Sequence, residues 1–136
     1  MLHIPLTILL ADDDLEDLEL IETAITNIDP DADLHKVTNG KEVIEYLSNL
    51  PDKKLPCLII LDYNMPELTG SEVLSLISKQ KRYDAIPKVI LSTSNTPFHI
   101  QQCKSNGATD YFVKPSNMKD LIYLAEKMLN YCRNKS

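Results

Sequence analysis

Leu58 to Leu61 is a run of four large aliphatic residues, and no other stretch narrows the fold as much. With no polar face to turn to water, it fits only a strand covered on both sides, as in the middle of a parallel α/β sheet. The run ends abruptly in Asp62, and open α/β sheets place their ligands beyond the carboxyl ends of their strands. Pro66 denies a helix at that point, and Thr69 with Glu72 three residues on is a capping box that starts the next one. Asp62 therefore stands on a crest between strand and helix, with Asn64 and Met65 beside it. Taken alone, an Asp in this place only caps a turn.

The rest of the chain repeats the pattern. Ile8 to Ala11 is a second buried strand and ends in Asp12, Asp13 and Asp14. Asp14 and Asp17 open a helix with Leu15, Leu18, Ile21, Ile25 and Ile28 on its apolar face, and the carboxylates at 14, 16 and 17 suit its positive end as a solvated helix start. Asp29 to Asp33 is a turn and Leu34 to Val37 a short strand; Asn39 with Glu42 opens a helix carrying Val43, Ile44 and Leu47. After the Asp62 strand come a helix with Val73, Leu74 and Ile77, and then a strand, KVILS, that ends at Ser92. Thr96 and Pro97 start a fourth helix, poor in apolar residues, that stops at Asn106 and Gly107. Asp110 to Val113 is the last strand, broken by Lys114 and Pro115, and Asn117 caps a final helix with Leu121, Leu124, Ala125 and Met128 inward.

Five strands alternating with five helices imply right-handed βαβ crossovers on both faces of a parallel sheet. The expected fold is α/β, a flavodoxin-like doubly wound (βα)5 domain with five parallel strands in the order 2-1-3-4-5. That order makes the first and third strands neighbours, so Asp12, Asp13 and Asp62 meet at one edge, with Ser92 and Lys114 closing the circle. A chain of 136 residues is expected to form one domain, 1–136, with no further domain attached.

Twenty acidic against fourteen basic residues, a formal charge of -6, argue against nucleic-acid binding, which needs a basic face. No apolar run reaches the roughly 20 residues of a membrane span, and Met1 to Pro5 lacks the apolar core of a signal peptide, so a cytoplasmic protein is expected. Cys57, Cys103 and Cys132 are odd in number without metal-like spacing and are read as reduced structural thiols; His3, His35 and His99 are too scattered to assign.

Three carboxylates within a few ångströms repel by roughly 1–4 kcal/mol per pair, so they need counter-charge or must take up protons. One divalent cation and one lysine restore the balance, and hard oxygen ligands with no converging Cys or His favour magnesium. A free Asp62 oxygen beside that cation, with an ammonium opposite, is a place where a phosphoryl group can be transferred in line.

The acidic pair Asp12 and Asp13, the DxxMPxxxG pattern from Asp62 to Gly70, the hydroxyl at Ser92 and the pair Lys114 and Pro115 together resemble the receiver domain of two-component response regulators, over nearly the whole chain. The overall form resembles that of a stand-alone, chemotaxis-regulator-like receiver. The Pro51 to Pro56 loop and the KVILSTS and DYFVKPSN segments are similar, less specifically, to receivers that partner bacterial phytochromes. The resemblance implies that Asp62 accepts a phosphoryl group from a sensor histidine kinase or phosphotransfer protein. It implies magnesium on Asp13, Asp62 and the Asn64 backbone carbonyl, with Asp12 acting through water, and Lys114 on the phosphoryl oxygens. Ser92 and Tyr111 would be the switch hydroxyl and aromatic, with the Tyr111 ring turning from solvent into the space Ser92 vacates, and Lys114–Pro115 would be a cis peptide. Ser92 stands where threonine is commoner and Thr93 follows it, so the switch hydroxyl is one of the two, with strand-end geometry favouring Ser92. Output is expected through the face of the fourth helix, fifth strand and fifth helix, to a downstream protein or a second copy, with neither nucleic acid nor membrane involved. Such a chain is not an enzyme beyond catalysing its own phosphorylation and dephosphorylation. Two other readings compete. One is a receiver-like module that acts without phosphate; the other is a haloacid-dehalogenase-type phosphohydrolase, which would need an Asp where Asn64 stands.

Overall fold

In a computed structural model of the chain, residues 5–133 are described. The stretch Met1 to Ile4, on which most of the reading about a signal peptide falls, and residues 134–136 lie outside the described residues. The elements run β1 (Thr7–Ala11), α1 (Leu15–Ile28), β2 (Asp33–Val37), α2 (Gly40–Ser48), β3 (Leu58–Leu61), α3 (Gly70–Ile77), β4 (Lys88–Ser92), α4 (Pro97–Ser105), β5 (Asp110–Val113) and α5 (Met118–Arg133). Short 3-10 turns at Asp52–Lys54 and Lys81–Tyr83 lead into β3 and β4. All five strands are parallel in the order β2-β1-β3-β4-β5, the flavodoxin-like arrangement expected from the alternation.

The pleat divides the core into two layers. Leu9, Ala11, Ile59, Leu61 and Ile90 point to the side covered by α2, α3 and α4, while Ile8, Leu10, Leu58, Ile60, Val89 and Leu91 meet α1 and α5. Every residue of β3 and β4 is buried, as their position in the sheet requires. Helix starts follow the residues that cap them: Asp14 accepts from the Glu16 and Asp17 N–H groups, Asn39 from Glu42, Thr96 from His99, and Thr69 with Glu72 forms the reciprocal box. At α5, Asn117 Oδ1 accepts from the Asp120 N–H at 2.8 Å.

Three expectations are corrected. Cys57 and Cys132 form a disulfide with Cα atoms 5.2 Å apart, because the last turn of α5 packs beside the start of β3; only Cys103 is a free, buried thiol. No cis peptide occurs among the described residues, so Lys114–Pro115 is trans, the isomer an X–Pro bond prefers by about 0.5–1 kcal/mol. Leu15, placed on the apolar face of α1, is 68% exposed, standing at the first helical position directly after the Asp14 cap.

Candidate functional site

Hydrogen bonding continues past the formal strand ends and carries the aspartates with it. The Asp12 N–H donates to Val37 O at 3.1 Å and the Asp62 N–H to Ala11 O at 2.9 Å, so the two residues leave neighbouring strands at one level. Both are buried, whereas Asp13 is exposed at the rim. Carboxylate oxygens of Asp12, Asp13 and Asp62 lie within 4.8 Å of one another. The crest after Asp62 is tightly closed: the Gly70 N–H returns to Tyr63 O at 2.9 Å, and a Cβ at position 70 would collide with the Asp62 carbonyl. Glu67, at φ 71°, takes the turn through the left-handed region. Met65 is buried in the core and Asn64 is exposed beside the cluster.

Lys114 enters from β5, its N–H bonded to Ser92 O at 2.8 Å. Its Nζ reaches Asp12 Oδ2 at 2.6 Å, Asp17 Oδ2 at 2.8 Å and Asp62 Oδ2 at 3.2 Å. Burial alone would lower the pKa of this ammonium; hydrogen bonds to Asp12 and Asp17 and the charge of Asp62 outweigh it and raise the value. Burial lifts the Asp12 carboxyl to about 6, against hydrogen bonds from Lys114 and the Asp14 N–H, and the Asp62 charge adds to the rise.

Asp17 corrects the reading of the first turn of α1 as merely solvated. It reaches Lys114, 97 residues away in the chain, and no local spacing signals that pair.

Ser92 is fully buried and Thr93 exposed, which places the inward hydroxyl at 92. Ser92 Oγ accepts from the Ser94 N–H at 3.2 Å. Tyr111 differs from the expected outward position: its ring is half-buried against the core and its hydroxyl donates to Ser94 O at 2.6 Å. His99, unassigned in the sequence, meets Ser94 Oγ through Nδ1 at 2.5 Å and stacks on Tyr63 at 4.0 Å, so the loop before α4 is tied to the residue after Asp62.

The donor set is all oxygen, two carboxylates buried and one at the rim, and it fits a hard divalent cation with water on its open side. An ammonium on the far side supplies the remaining counter-charge for an oxyanion. Comparison with known proteins identifies the family. The response regulator receiver domain family matches residues 8–126. The two-component response regulator ORR11 of rice (Oryza sativa) is 38% identical over 93 residues, 68% of this chain and 61% of that protein, so the match spans less than two thirds of the relative. Among solved structures, the phosphorylated cyanobacterial phytochrome response regulator RcpA superposes with a TM-score of 0.87 at 27% identity, over 98% of this chain and 97% of the other. The manganese-bound form of response regulator Rcp1 gives 0.80 at 27% identity over 93% of each chain. Fold, strand-end chemistry and sequence thus converge, and the chain belongs to the response regulator receiver domain family of two-component signalling.

Proposed function

We propose that Asp62 accepts a phosphoryl group from the phosphohistidine of a sensor histidine kinase or phosphotransfer protein, and that the phosphorylated form presents an altered protein-binding face. The observation that carries this reading is the Lys114 ammonium 3.2 Å from Asp62 Oδ2, with the Asp12 and Asp13 carboxylates alongside. An Asp62 oxygen bonds to phosphorus as the phosphorus–nitrogen bond to the donor imidazole breaks, and Lys114 neutralises charge gathering on the phosphoryl oxygens. Asp13, Asp62 and the Asn64 carbonyl would hold magnesium, with Asp12 acting through water, and the ion when bound supplies the remaining positive charge for those oxygens. Crest closure by Gly70 fixes the direction in which Asp62 faces. The phosphorylated state of RcpA and the manganese in Rcp1 support the same chemistry here. On this reading the chain is its own substrate and not an enzyme for a separate one.

For the switch, a phosphoryl oxygen offers Ser92 Oγ a charged acceptor worth roughly 1.5–3 kcal/mol, enough to draw the hydroxyl inward. That movement loosens the Ser92–Ser94 contact. Because Tyr111 already hydrogen-bonds Ser94 O, its ring follows the loop and need not swing in from solvent. The affected surface is that of α4, β5 and α5, where Phe98, Val113 and Tyr123 are exposed apolar groups suited to a downstream protein or a second copy. The experiment is phosphotransfer from the phosphorylated histidine kinases of the same genome. One donor should load the wild-type chain within the dead time of slower pairs, and Asp62→Asn should take nothing; equal loading of Asp62→Asn removes the assignment.

A further inference from the structure

Asp17 lies outside the acidic pair of the receiver pattern, yet its Oδ2 is 2.8 Å from Lys114 Nζ, closer than Asp62 Oδ2 at 3.2 Å. An ammonium has three protons, and Asp12, Asp17 and Asp62 each sit within reach of one. None is left over for an oxygen newly joined to Asp62 until one of these contacts gives way. Asp17 is fixed by a different element from the strand-end aspartates: it sits in the first turn of α1, its own N–H held by the Asp14 cap at 3.2 Å. At 30% side-chain exposure it is also more solvated than Asp12 and Asp62.

We propose that Asp17 is a positioning residue for Lys114, holding part of the ammonium on the α1 side of the site and so limiting how fully Lys114 serves Asp62. The inference rests on Asp62 being the phosphoacceptor. Releasing Lys114 from Asp17 lets it meet the charge that builds on the phosphoryl oxygens, so Asp17 acts as a brake on acceptance. The measurement is the initial rate of phosphorylation by phosphoramidate with magnesium. Asp17→Asn should react about two- to fivefold faster, the scale of one half-exposed ion pair. Asp17→Glu should return the rate toward wild type, and Glu16→Gln, which removes an equal charge from the same turn without touching Lys114, should leave it unchanged. In a Lys114→Met background the Asp17→Asn effect should vanish. In unphosphorylated, metal-free protein the Lys114 Cε resonance should shift and gain mobility in Asp17→Asn and not in Asp17→Glu. An unchanged rate in Asp17→Asn, or the same acceleration without Lys114 or from Glu16→Gln, overturns the proposal. A wild-type chain that takes no phosphate at Asp62 defeats the phosphoacceptor reading instead; the Lys114 resonance then decides the positioning claim, and an unmoved signal in Asp17→Asn overturns it.

Discussion

Lys88 and Lys114 have both left solvent, one at the amino end of β4 and the other just past the carboxyl end of β5, and their surroundings treat the charge in opposite ways. The Lys88 ammonium donates to Tyr83 O at 2.6 Å; burial lowers its pKa, and the charge of Asp84 only partly opposes this. Lys114 suffers the same burial, yet Asp12, Asp17 and Asp62 reverse the direction. A buried lysine facing a carbonyl is a packing solution. One facing three carboxylates is an electrostatic component that more negative charge can recruit.

The largest consequence falls on stability. Lys114→Met leaves Asp12 and Asp62 buried without compensation and should cost about 3 kcal/mol in urea unfolding with chelator present. Lys88→Met should stay within about 1 kcal/mol, because Tyr83 O still accepts from the Ile86 N–H. Equal losses from the two substitutions would erase the contrast.

A somewhat smaller effect depends on pH. The Asp12 value is raised in the folded chain, from 3.8 to about 6, so the folded state binds that proton more tightly than the unfolded state does. Its contribution is fully present below about 4 and is lost as pH rises through about 6. Metal-free Asp12→Asn, which escapes that loss and keeps an acceptor for the Asp14 N–H, should gain on wild type between pH 4 and 7 by at most about 3 kcal/mol, from about 1.4 kcal/mol per pH unit. A gap between the two proteins that does not widen with pH would mean that Asp12 is not held as described.

Smallest of all, Asp84→Asn removes an exposed charge near Lys88 and should change stability by no more than about 0.5 kcal/mol, with phosphorylation untouched. A larger shift would give Lys88 an electrostatic role after all.

What the sequence made legible was whatever local periodicity or a cap determines. The LIIL run, the alternation of strands and helices, and the Thr69–Glu72 box each carry their own signal, and strand order then brings the aspartates and Lys114 together. Contacts set by tertiary packing were hidden. Cys57 and Cys132 are 75 residues apart, with nothing local to pair them. Asp17 had a sufficient explanation in the dipole of α1, which masked its ion pair. The Tyr111 side chain takes its direction from Ser94, a loop contact that strand patterning does not encode. Lys88 meets Tyr83 O across a turn, a contact that the strand pattern does not encode.

The central claim is that the charge around Lys114 serves a phosphoryl group on Asp62. Intact-protein and peptide mass spectrometry after treatment with phosphoramidate tests it most directly, with magnesium and with chelator in parallel. The account predicts one base-labile phosphate, on the peptide carrying Asp62, appearing only with magnesium and absent from Asp62→Asn. Phosphate of the same amount in chelator, or on any other residue, would contradict it.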